Sequence, residues 1–466
     1  MTITAIGWIL IPVSLLLFLM APRWLYILMV FFIPFSATAV ANFESASSGS
    51  GLQIAMFCGF LWIVSVLLQT IKSGNIKVPA LQSFSIILLM AFMTIVLVSL
   101  IMPIMIDGDL LVESANLYSS EVTALTFTSR HITQTLYLAY GIIITILVAT
   151  KNTQLSQFVS SLKAYVLSGI FVSLWGWLQF IFDKIDIPYP YFIFNNNINP
   201  AAQGFTGEFL DLNLKRISSV AVEPSILSQF LLTVVPIVLV AVLTKRTILS
   251  PFLDRFSLVI MSSILILSTA ATAYIGLLVM LFVILLISFR LKFRLLRIWG
   301  IISLTLVCGV IYLVTPKVQI LTSNLLFDKL NTGSGLERLA SIETAWEYFL
   351  DYPFLGVGWG SVTSHDLIVN ILVNTGILGL VLFIMMTWYI LNRLLLSIKR
   401  YNNGTKSDGI MCWAGALAAS LITCLFINVL TGFTYVFGHI WFIFGMTIAA
   451  TSIIDVNAYK SNKLTK

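Results

Sequence analysis

Runs of about 20 apolar residues follow one another along almost the whole chain, and a helix needs a run of that length to cross a lipid bilayer. Only 10% of the 466 residues are charged, whereas a soluble globular protein carries about 25%. A water-soluble enzyme, a disordered chain and a fibrous protein are therefore excluded. The pattern predicts an all-α, polytopic integral membrane protein with about 13 transmembrane helices (about 12 to 14). The predicted spans are residues 3–20, 23–42, 52–71, 82–106, 130–150, 157–182, 219–243, 253–268, 271–289, 298–315, 367–391, 410–430 and 434–454.

The basic residues alternate along the chain in a way that predicts the orientation of these helices. If residues 268–274 form a tight hairpin between two short spans, 19 of the 26 lysines and arginines fall in loops on one side of the membrane. The side with the basic excess is the cytoplasmic side, so we expect an external N-terminus and a cytoplasmic C-terminus. Of the 19 acidic residues, 16 then lie outside or at the outer membrane edge. The net charge of +7 is an orientation signal, and no nucleic-acid partner is predicted.

Two outer loops, residues 183–218 and 316–366, are much longer than a connection between helices requires. Long loops in compact proteins are usually functional or disordered, and the aromatic residues in these two favour order. We therefore expect residues 1–466 to form a single polytopic membrane domain that acts on its outer face. In the second loop, apolar residues recur at helical spacing between Leu336 and Leu350, which predicts an amphipathic helix on the outer surface.

The first candidate site residues lie where the seventh span begins, in the stretch Lys215-Arg216 and Glu223-Pro224-Ser225. Ionisable groups inside an apolar run are costly and usually face a cavity or a partner. Arg216 and Glu223 are about two helical turns apart, so they share a face if the helix begins early. Pro224 can instead break the helix and leave backbone groups free to line a pocket. The structural alternative is an Arg–Glu ion pair that anchors the chain at the interface.

Further candidates follow in the second long loop. Arg338 is the single cation of the predicted amphipathic helix. The glycines of residues 356–360 (Gly-Val-Gly-Trp-Gly) suit either an approach of backbone N–H groups to a phosphate or a tight turn under the membrane surface. His365 and Asp366 then open the next span, where the helix dipole favours a nearby anion. His365 titrates near neutral pH, or it is a cap and interfacial residue.

The sequence gives little support for the chemistry of soluble hydrolases, nucleotide-binding enzymes or metal enzymes. The four cysteines show no metal-ligand spacing, and no Walker, HExxH or GxSxG pattern occurs. Asp107-Gly-Asp109 spells DxD, but its predicted place is a solvated outer loop. We expect His439, in apolar surroundings, to be structural. No metal site and no cofactor are predicted.

The order of these motifs resembles a known family. His365-Asp366, nine residues, Gly376, two residues and Gly379 is similar to the H-[N/S/Q]-x9-G-x-x-G signature of bacterial O-antigen ligases and polymerases. Arg338 and residues 353–360 resemble the segment that precedes this histidine, and residues 216–225 resemble the R…EPS stretch of Wzy-type polysaccharide polymerases. The similar region is residues 200–390. It departs from the family at Asp366, where an amide or serine is usual, and at the hairpin, where Ser-Arg is frequent.

The resemblance implies a GT-C-like glycosyltransferase in the bacterial cytoplasmic (inner) membrane, with its active site facing the periplasm. It implies inverting or retaining transfer between undecaprenyl-pyrophosphate-linked oligosaccharides, in which the growing chain leaves its lipid pyrophosphate and joins a new repeat unit. Without a metal, cations must hold the leaving pyrophosphate, and we expect these to be Arg216, Arg338 and Lys215. The base or orienting group for the acceptor hydroxyl is His365, with Glu223 and Asp366 as alternatives. A chain-length regulator and a flippase are further partners that the resemblance suggests, besides the bilayer itself.

Two other functions stay open at this stage. An O-antigen ligase would move the finished glycan onto lipid A core, but the Glu-Pro-Ser stretch and the long first outer loop favour a polymerase. A lipid-linked oligosaccharide flippase would need charges along a cavity open to both sides, whereas the predicted mid-membrane region is nearly uncharged. Outer-loop aromatics could stack on sugar rings or form the interfacial belt, which we favour for most of them; examples are Tyr189, Tyr191, Trp346 and Trp359.

Overall fold

A computed structural model describes residues 1–44, 49–74, 83–113, 122–198, 208–209, 214–290, 333–402 and 409–464. Within these ranges the chain is mainly helical. The helices are α1 (Ala5–Met20), α2 (Pro22–Phe32), α3 (Ile54–Ser73), α4 (Ser83–Ser99), α5 (Met102–Ile106), α6 (Ser129–Lys151), α7 (Leu155–Lys184), α8 (Tyr191–Phe194), α9 (Pro224–Thr244), α10 (Pro251–Leu267), α11 (Ala271–Arg290), α12 (Gly333–Asp351), α13 (Leu367–Asn402), α14 (Gly409–Thr431) and α15 (Gly438–Leu464).

The short strands form three small antiparallel sheets. They are β1 (Thr2–Ile3), β2 (Ala39–Glu44), β3 (Gly49–Gln53), β4 (Leu111–Glu113), β5 (Val122–Ala124), β6 (Glu208–Phe209) and β7 (Leu214–Lys215). The sheet orders are β1-β2-β3, β4-β5 and β6-β7. In the first sheet, Thr2 pairs with Asn42, and Asn42 also pairs with Gly51.

Among the described residues, eight helices are long and apolar enough to cross a membrane. They confirm a polytopic, all-α membrane protein, and α4 and α5 together make one of the eight, Phe84–Ile106. Helices α1 and α2 and the segment Ala271–Ile287 of α11 are apolar but have fewer than 18 residues. The predicted span 298–315 lies outside the described residues, so the expected count of about 13 stays a prediction.

The predicted span 23–42 is wrong in its second half. Helix α2 ends at Phe32, and residues 39–44 belong to strand β2. Pro34 explains the early end, because proline disfavours the helical conformation of the residue before it. The residues that follow are apolar because they are buried in protein: Phe35, Ala37, Ala39 and Val40 are all almost fully buried.

Three helices form the centre of the bundle. In α9, α14 and α15, 78%, 83% and 89% of the most apolar window is buried, whereas the figure for α3 is 33%. The outer helices expose large apolar side chains, such as Leu68, Val259, Leu278 and Trp388, as expected of surfaces that face lipid. Helix α9 therefore presents its first residues at the middle of one end of the bundle.

The described loops sort into two groups, one at each end of the bundle. At one end, which we call the site end, Ala37 N–H donates to Val220 O (3.1 Å), and Tyr435 Oη donates to Gln134 Oε1 (2.7 Å). At the other, which we call the basic end, Trp413 Nε1 donates to Arg246 O (3.3 Å). These loops group as the alternation of basic residues predicts.

Helices α10 and α11 are separated at residues 268–270, within the predicted hairpin. Ser268 Oγ lies 3.1 Å from Ser228 Oγ, one turn into α9, and Thr269 has a φ of +49°. The turn is therefore at the site end, beside the start of the central helix. Where the family that the motifs resemble often has Ser-Arg, this chain has small residues, and they are buried: Ser268, Ala270, Ala271 and Ala273.

Helix α13 is interrupted at Gly376, whose φ of +65° and ψ of −169° are outside the helical region. This part of the φ/ψ map is essentially open to glycine alone. A Cβ atom at this position would overlap the carbonyl group of Phe354. Across the break, Ile377 N–H donates to Pro353 O (2.8 Å) and Val357 N–H to Val373 O (2.7 Å). The glycine thus lets the loop after α12 cross the helix at backbone distance.

We predict that Gly376→Ala lowers the free energy of unfolding by about 3 kcal/mol or more, because a forbidden φ/ψ pair and an overlap with backbone add together. The measurement is the thermal unfolding midpoint of the purified protein in detergent. Two glycines serve as matched controls. Gly74→Ala keeps a positive φ with no atom nearby and should cost about 1 kcal/mol. Gly438→Ala meets Ile33 at an ordinary 3.4 Å and should be nearly neutral; equal midpoints for all three variants would contradict the account.

Candidate functional site

The segment 216–223 runs across the site end as buried, non-helical backbone. Residues 217–222 are all at least nine-tenths buried, so their polar backbone groups need partners within the protein. Ser219 N–H donates to Gln179 Oε1 (2.8 Å), and Asn195 Nδ2 donates to Ser219 O (3.2 Å). Val222 N–H donates to Ser36 Oγ (3.1 Å). These bonds fix the places of Arg216 and Glu223 at the two ends of the segment.

The start of the seventh predicted span needs a correction. It was expected at residue 219, but α9 begins at Pro224, which occupies the first helical position. Proline is favoured there because its missing N–H has no helical partner in any case. Glu223 is therefore the N-cap residue, extended and exposed, and Ser225 Oγ donates to its Oε2 (2.8 Å). Arg216 and Glu223 thus do not share a helix face, and Pro224 starts the helix instead of breaking it.

Arg338 is carried by α12, which the sequence predicts as the amphipathic helix. Its apolar residues Leu336, Leu339 and Leu350 are exposed, which suits a helix against a membrane surface. The opposite side is held by Ala345, which is fully buried in a small cluster with Val357 and Val373. Tyr348 Oη also donates to Leu111 O in β4 (2.8 Å).

The loop of residues 356–360 is a tight, buried turn. All three of its glycines have positive φ values of +65°, +99° and +88°. Gly356 N–H donates to Tyr352 O (3.0 Å) and Trp359 N–H to Ser99 Oγ (3.2 Å). Because these N–H groups are already bonded, the geometry favours the turn over a phosphate loop. Trp359 is 1% exposed between aromatic neighbours, so the idea that it stacks on a sugar is wrong.

The loop that carries His365 is anchored from below by two asparagines on α13. Asn374 Nδ2 donates to Val362 O (2.8 Å), and Asn370 Nδ2 donates to Ser364 O (3.3 Å). Asp366 is the N-cap of the helix, since its Oδ1 accepts from the N–H groups of Ile368 (2.7 Å) and Val369 (2.9 Å). Asparagine and serine, usual at this position in the family that the motif resembles, are N-cap residues too. The departure at Asp366 therefore preserves the cap.

Glu223 and Arg338, from two separate segments, both lie close enough to Arg216 and His365 to shift the pKa of each. Burial lowers the pKa of Arg216, the carboxylate of Glu223 raises it, and Arg338 lowers it. Burial also lowers the pKa of His365, and Arg338 lowers it further, while Glu223 and Glu337 raise it. The site thus combines two guanidinium groups, a carboxylate and an imidazole that is mainly neutral at pH 7.

Ser341 fixes the orientation of the His365 ring. Its Oγ lies 2.9 Å from His365 Nδ1 and donates its proton to Arg338 O, also at 2.9 Å. With that proton used, Oγ accepts from Nδ1–H, which assigns the tautomer and leaves Nε2 as the basic nitrogen. Ser341 was not among the predicted site residues. Its spacing of three from Arg338, which puts both on one helix face, is the signal that could have found it.

Lys215 pairs with an acidic residue of α7, and the two aspartates of the DxD motif are exposed. Lys215 Nζ forms an ion pair with Asp183 Oδ1 (2.7 Å) at the end of α7. Asp107 and Asp109 are exposed, as expected for a solvated loop. Tyr189 and Tyr191 contact each other edge to face and are half-buried, while Trp346 is exposed on α12. In the part of the chain that the structure describes, no three His, Cys, Asp or Glu side chains could hold a metal ion together.

The other two histidines have structural surroundings. His131 closes a capping box at the start of α6, where its Nδ1 accepts from Thr128 N–H (3.0 Å). Its Nε2 lies 3.1 Å from Ser361 Oγ in the buried turn. His439 is buried at the start of α15 and stacks on Phe437.

A family profile described as O-antigen ligase matches residues 256–384. Residues 256–384 carry an O-antigen ligase domain. It contains most of α10, all of α11 and α12, the glycine turn, Arg338 and His365, and it is consistent with the O-antigen polymerase/ligase superfamily that the motifs resemble. Arg216 and Glu223 precede the O-antigen ligase domain in sequence. No curated protein matches the chain.

We predict that Asp366→Ala lowers the free energy of unfolding by about 1 kcal/mol, because two N–H groups lose their cap. Asp366→Asn should be nearly neutral, since the amide oxygen can accept the same bonds. Thermal unfolding in detergent compares the two variants. A stable Asp366→Ala protein would show that the cap does not hold this end of α13.

Proposed function

We propose that the protein polymerises undecaprenyl-pyrophosphate-linked repeat units into O-antigen or another surface polysaccharide, on the outer face of the bacterial cytoplasmic membrane. The observation that carries the proposal is that Glu223 and Arg338 lie within electrostatic reach of both Arg216 and His365, while Ser341 of the helix that carries Arg338 bonds to the His365 ring. The match to the O-antigen ligase family supports a glycosyltransferase-like activity on a lipid-linked glycan.

The reaction needs one bond to break and one to form. The bond from the anomeric carbon of the growing chain to its lipid pyrophosphate breaks, and a new bond joins that carbon to a hydroxyl oxygen of the incoming unit. The leaving pyrophosphate takes the bonding electrons. We assign its charge to Arg216 and Arg338, because a guanidinium fork binds phosphate oxygens in pairs. Lys215 stands beside them with its charge already paired to Asp183.

The acceptor hydroxyl loses a proton in this step. His365 Nε2 is the base that we assign, because Ser341 holds the proton on Nδ1 and the lowered pKa keeps the ring neutral near pH 7. Glu223 is exposed at the same end, with an oxygen already accepting from Ser225. It is the alternative base, whereas Asp366 Oδ1 accepts two backbone bonds as a cap.

An O-antigen ligase is the second candidate, because that is the description of the family that matches residues 256–384. The Glu-Pro-Ser start of the central helix and the long loop before it favour the polymerase. A flippase is less favoured, because the central spans Pro224–Thr244 and Gly409–Thr431 contain no charged residue and a transport path for a charged lipid needs them.

Reconstitution distinguishes these functions. The purified protein is placed in liposomes with undecaprenyl-pyrophosphate repeat units, with or without lipid A core. A ladder of products without core supports the polymerase. Product only in the presence of core makes the protein a ligase, and translocation without either product ends the enzyme proposal.

In this assay we predict that Arg216→Ala and Arg338→Ala each lower the rate about 100-fold or more, since each removes a charged donor from the leaving group. Lys184→Ala is the matched control. Lys184 is a cation at the same end, but it lies over the Phe180 ring (5.8 Å). Normal rates for both arginine variants, or an equal loss for Lys184→Ala, would contradict the assignment.

The pH dependence tests His365. A base acts when unprotonated, so the rate should rise with pH through the pKa of His365, which lies below its usual 6.5. Ser341→Ala removes the oxygen that accepts from Nδ1–H. Because this acceptor stabilises the protonated ring more than the neutral one, its loss lowers the pKa of His365 and moves the inflection of the rate to lower pH.

The same substitution should lower kcat by about 10-fold, since the other tautomer becomes populated. Ser341→Thr keeps the hydroxyl and should restore both kcat and the inflection. An unchanged pH profile in Ser341→Ala would show that the serine only packs against the ring.

A further inference from the structure

A cavity of about 320 Å³ lies at the basic end, opposite the candidate site. It is enclosed by the turn between α1 and α2, the last turns of α3, and the turn between α6 and α7. Its lining includes the cations Arg23 and Lys151, and none of the described residues that line it is Asp or Glu. The volume is near the lower limit of ligand sites, about 300 Å³, which suits a headgroup better than an oligosaccharide.

The floor of the cavity is a closed ring of hydrogen bonds. Asn152 Nδ2 donates to Tyr26 Oη (2.9 Å), Tyr26 Oη to Ser161 Oγ (2.9 Å), and Ser161 Oγ to Asn152 Oδ1 (2.6 Å). These three side chains are buried and tie α2, α6 and α7 together. A satisfied polar network of this kind is rigid, so it holds the walls of the cavity apart.

The side of the cavity formed by α3 changes from polar at Gln69 to apolar at Trp62. Arg23 and Lys151 are exposed at the helix ends, whereas Trp62 lines the deeper part of α3 and is almost buried. Trp62 lies seven residues before Gln69, about 10 Å further along the helix. Trp24, next to Arg23, is 64% exposed, as is common for tryptophan at a membrane interface.

We propose that this cavity binds the headgroup of an anionic phospholipid from the leaflet at the basic end. That leaflet is cytoplasmic by the positive-inside rule and rich in anionic lipid. A phospholipid has an anionic head followed by an apolar stem; Arg23 and Lys151 match the head, and the α3 side from Gln69 to Trp62 matches the change to apolar. A free phosphate shares only the anionic part of this chemistry. The site is about one bundle length from Arg216 and His365 and does not depend on the function proposed for them.

The test uses the full chain in nanodiscs that contain phosphatidylglycerol and phosphatidylcholine in equal amounts. Native mass spectrometry counts the lipids that stay bound. The wild type should retain phosphatidylglycerol in preference. The double variant Arg23→Gln with Lys151→Gln should lose about 25-fold in affinity, at about fivefold for each cation. The single variant Lys151→Gln, expected to lose about fivefold, is measured if the double variant is not recovered folded.

Lys72→Gln is the matched control, since Lys72 lies in the last turn of α3 but does not line the cavity. Its retention of phosphatidylglycerol should equal that of the wild type. Equal retention in the double variant, or an equal loss in Lys72→Gln, would overturn the proposal. A parallel sample with phosphatidylcholine and inorganic phosphate shows whether the cavity binds a lipid headgroup or free phosphate. A phosphate adduct in this sample, with no phosphatidylglycerol retained in the first sample, would also overturn the proposal.

Discussion

The second half of the candidate site depends on the place where two backbones cross at Gly376. Without a side chain there, the chain after α12 can lie against the interrupted helix and bond to it on both sides of the break. The crossing fixes where the loop of residues 361–366 begins, and the side chains of Asn370 and Asn374 bond to the backbone of that loop. His365 is thereby placed beside Ser341 of α12. Gly376 is thus required for the backbone crossing, and the crossing positions His365.

The first half of the site depends on a different use of buried backbone. Residues 217–222 are irregular, yet their polar groups bond to α7, to Ser36 and to Asn195. Irregular backbone near a membrane is stable only when protein supplies such partners. The segment ends at Glu223, where the central helix begins. Arg216 comes directly before this segment, and Arg338 of α12 lies close enough to lower its pKa.

The helices were the most predictable part of the fold, because lipid demands long apolar runs. The same rule misled at residues 35–41 and 220–222, whose apolar side chains are buried in protein and do not cross lipid. The hairpin at residues 268–270 followed from the charges of its flanking loops. The N-cap role of Asp366 was also within reach, since it stands directly before an apolar helix.

Other features of the site could not be read from local sequence. The burial of Trp359 is made by Phe433 and Tyr435, more than 70 positions later in the chain. The bond from Ser341 to His365 joins residues 24 positions apart, and serine at such a spacing is common on any helix. The ion pair of Lys215 with Asp183 depends on how the long loop returns to α7. Each of these contacts is set by tertiary packing, which a motif does not encode.

The central claim is that Arg216 and Arg338 face one pyrophosphate. The direct measurement is the affinity for undecaprenyl pyrophosphate of the wild type, Arg216→Ala, Arg338→Ala and the double variant. Each single variant should lose about 10-fold or more, and the loss in the double variant should differ from the product of the single losses, because the two groups share one ligand. Wild-type affinity in either single variant, or losses that simply multiply, would contradict the account.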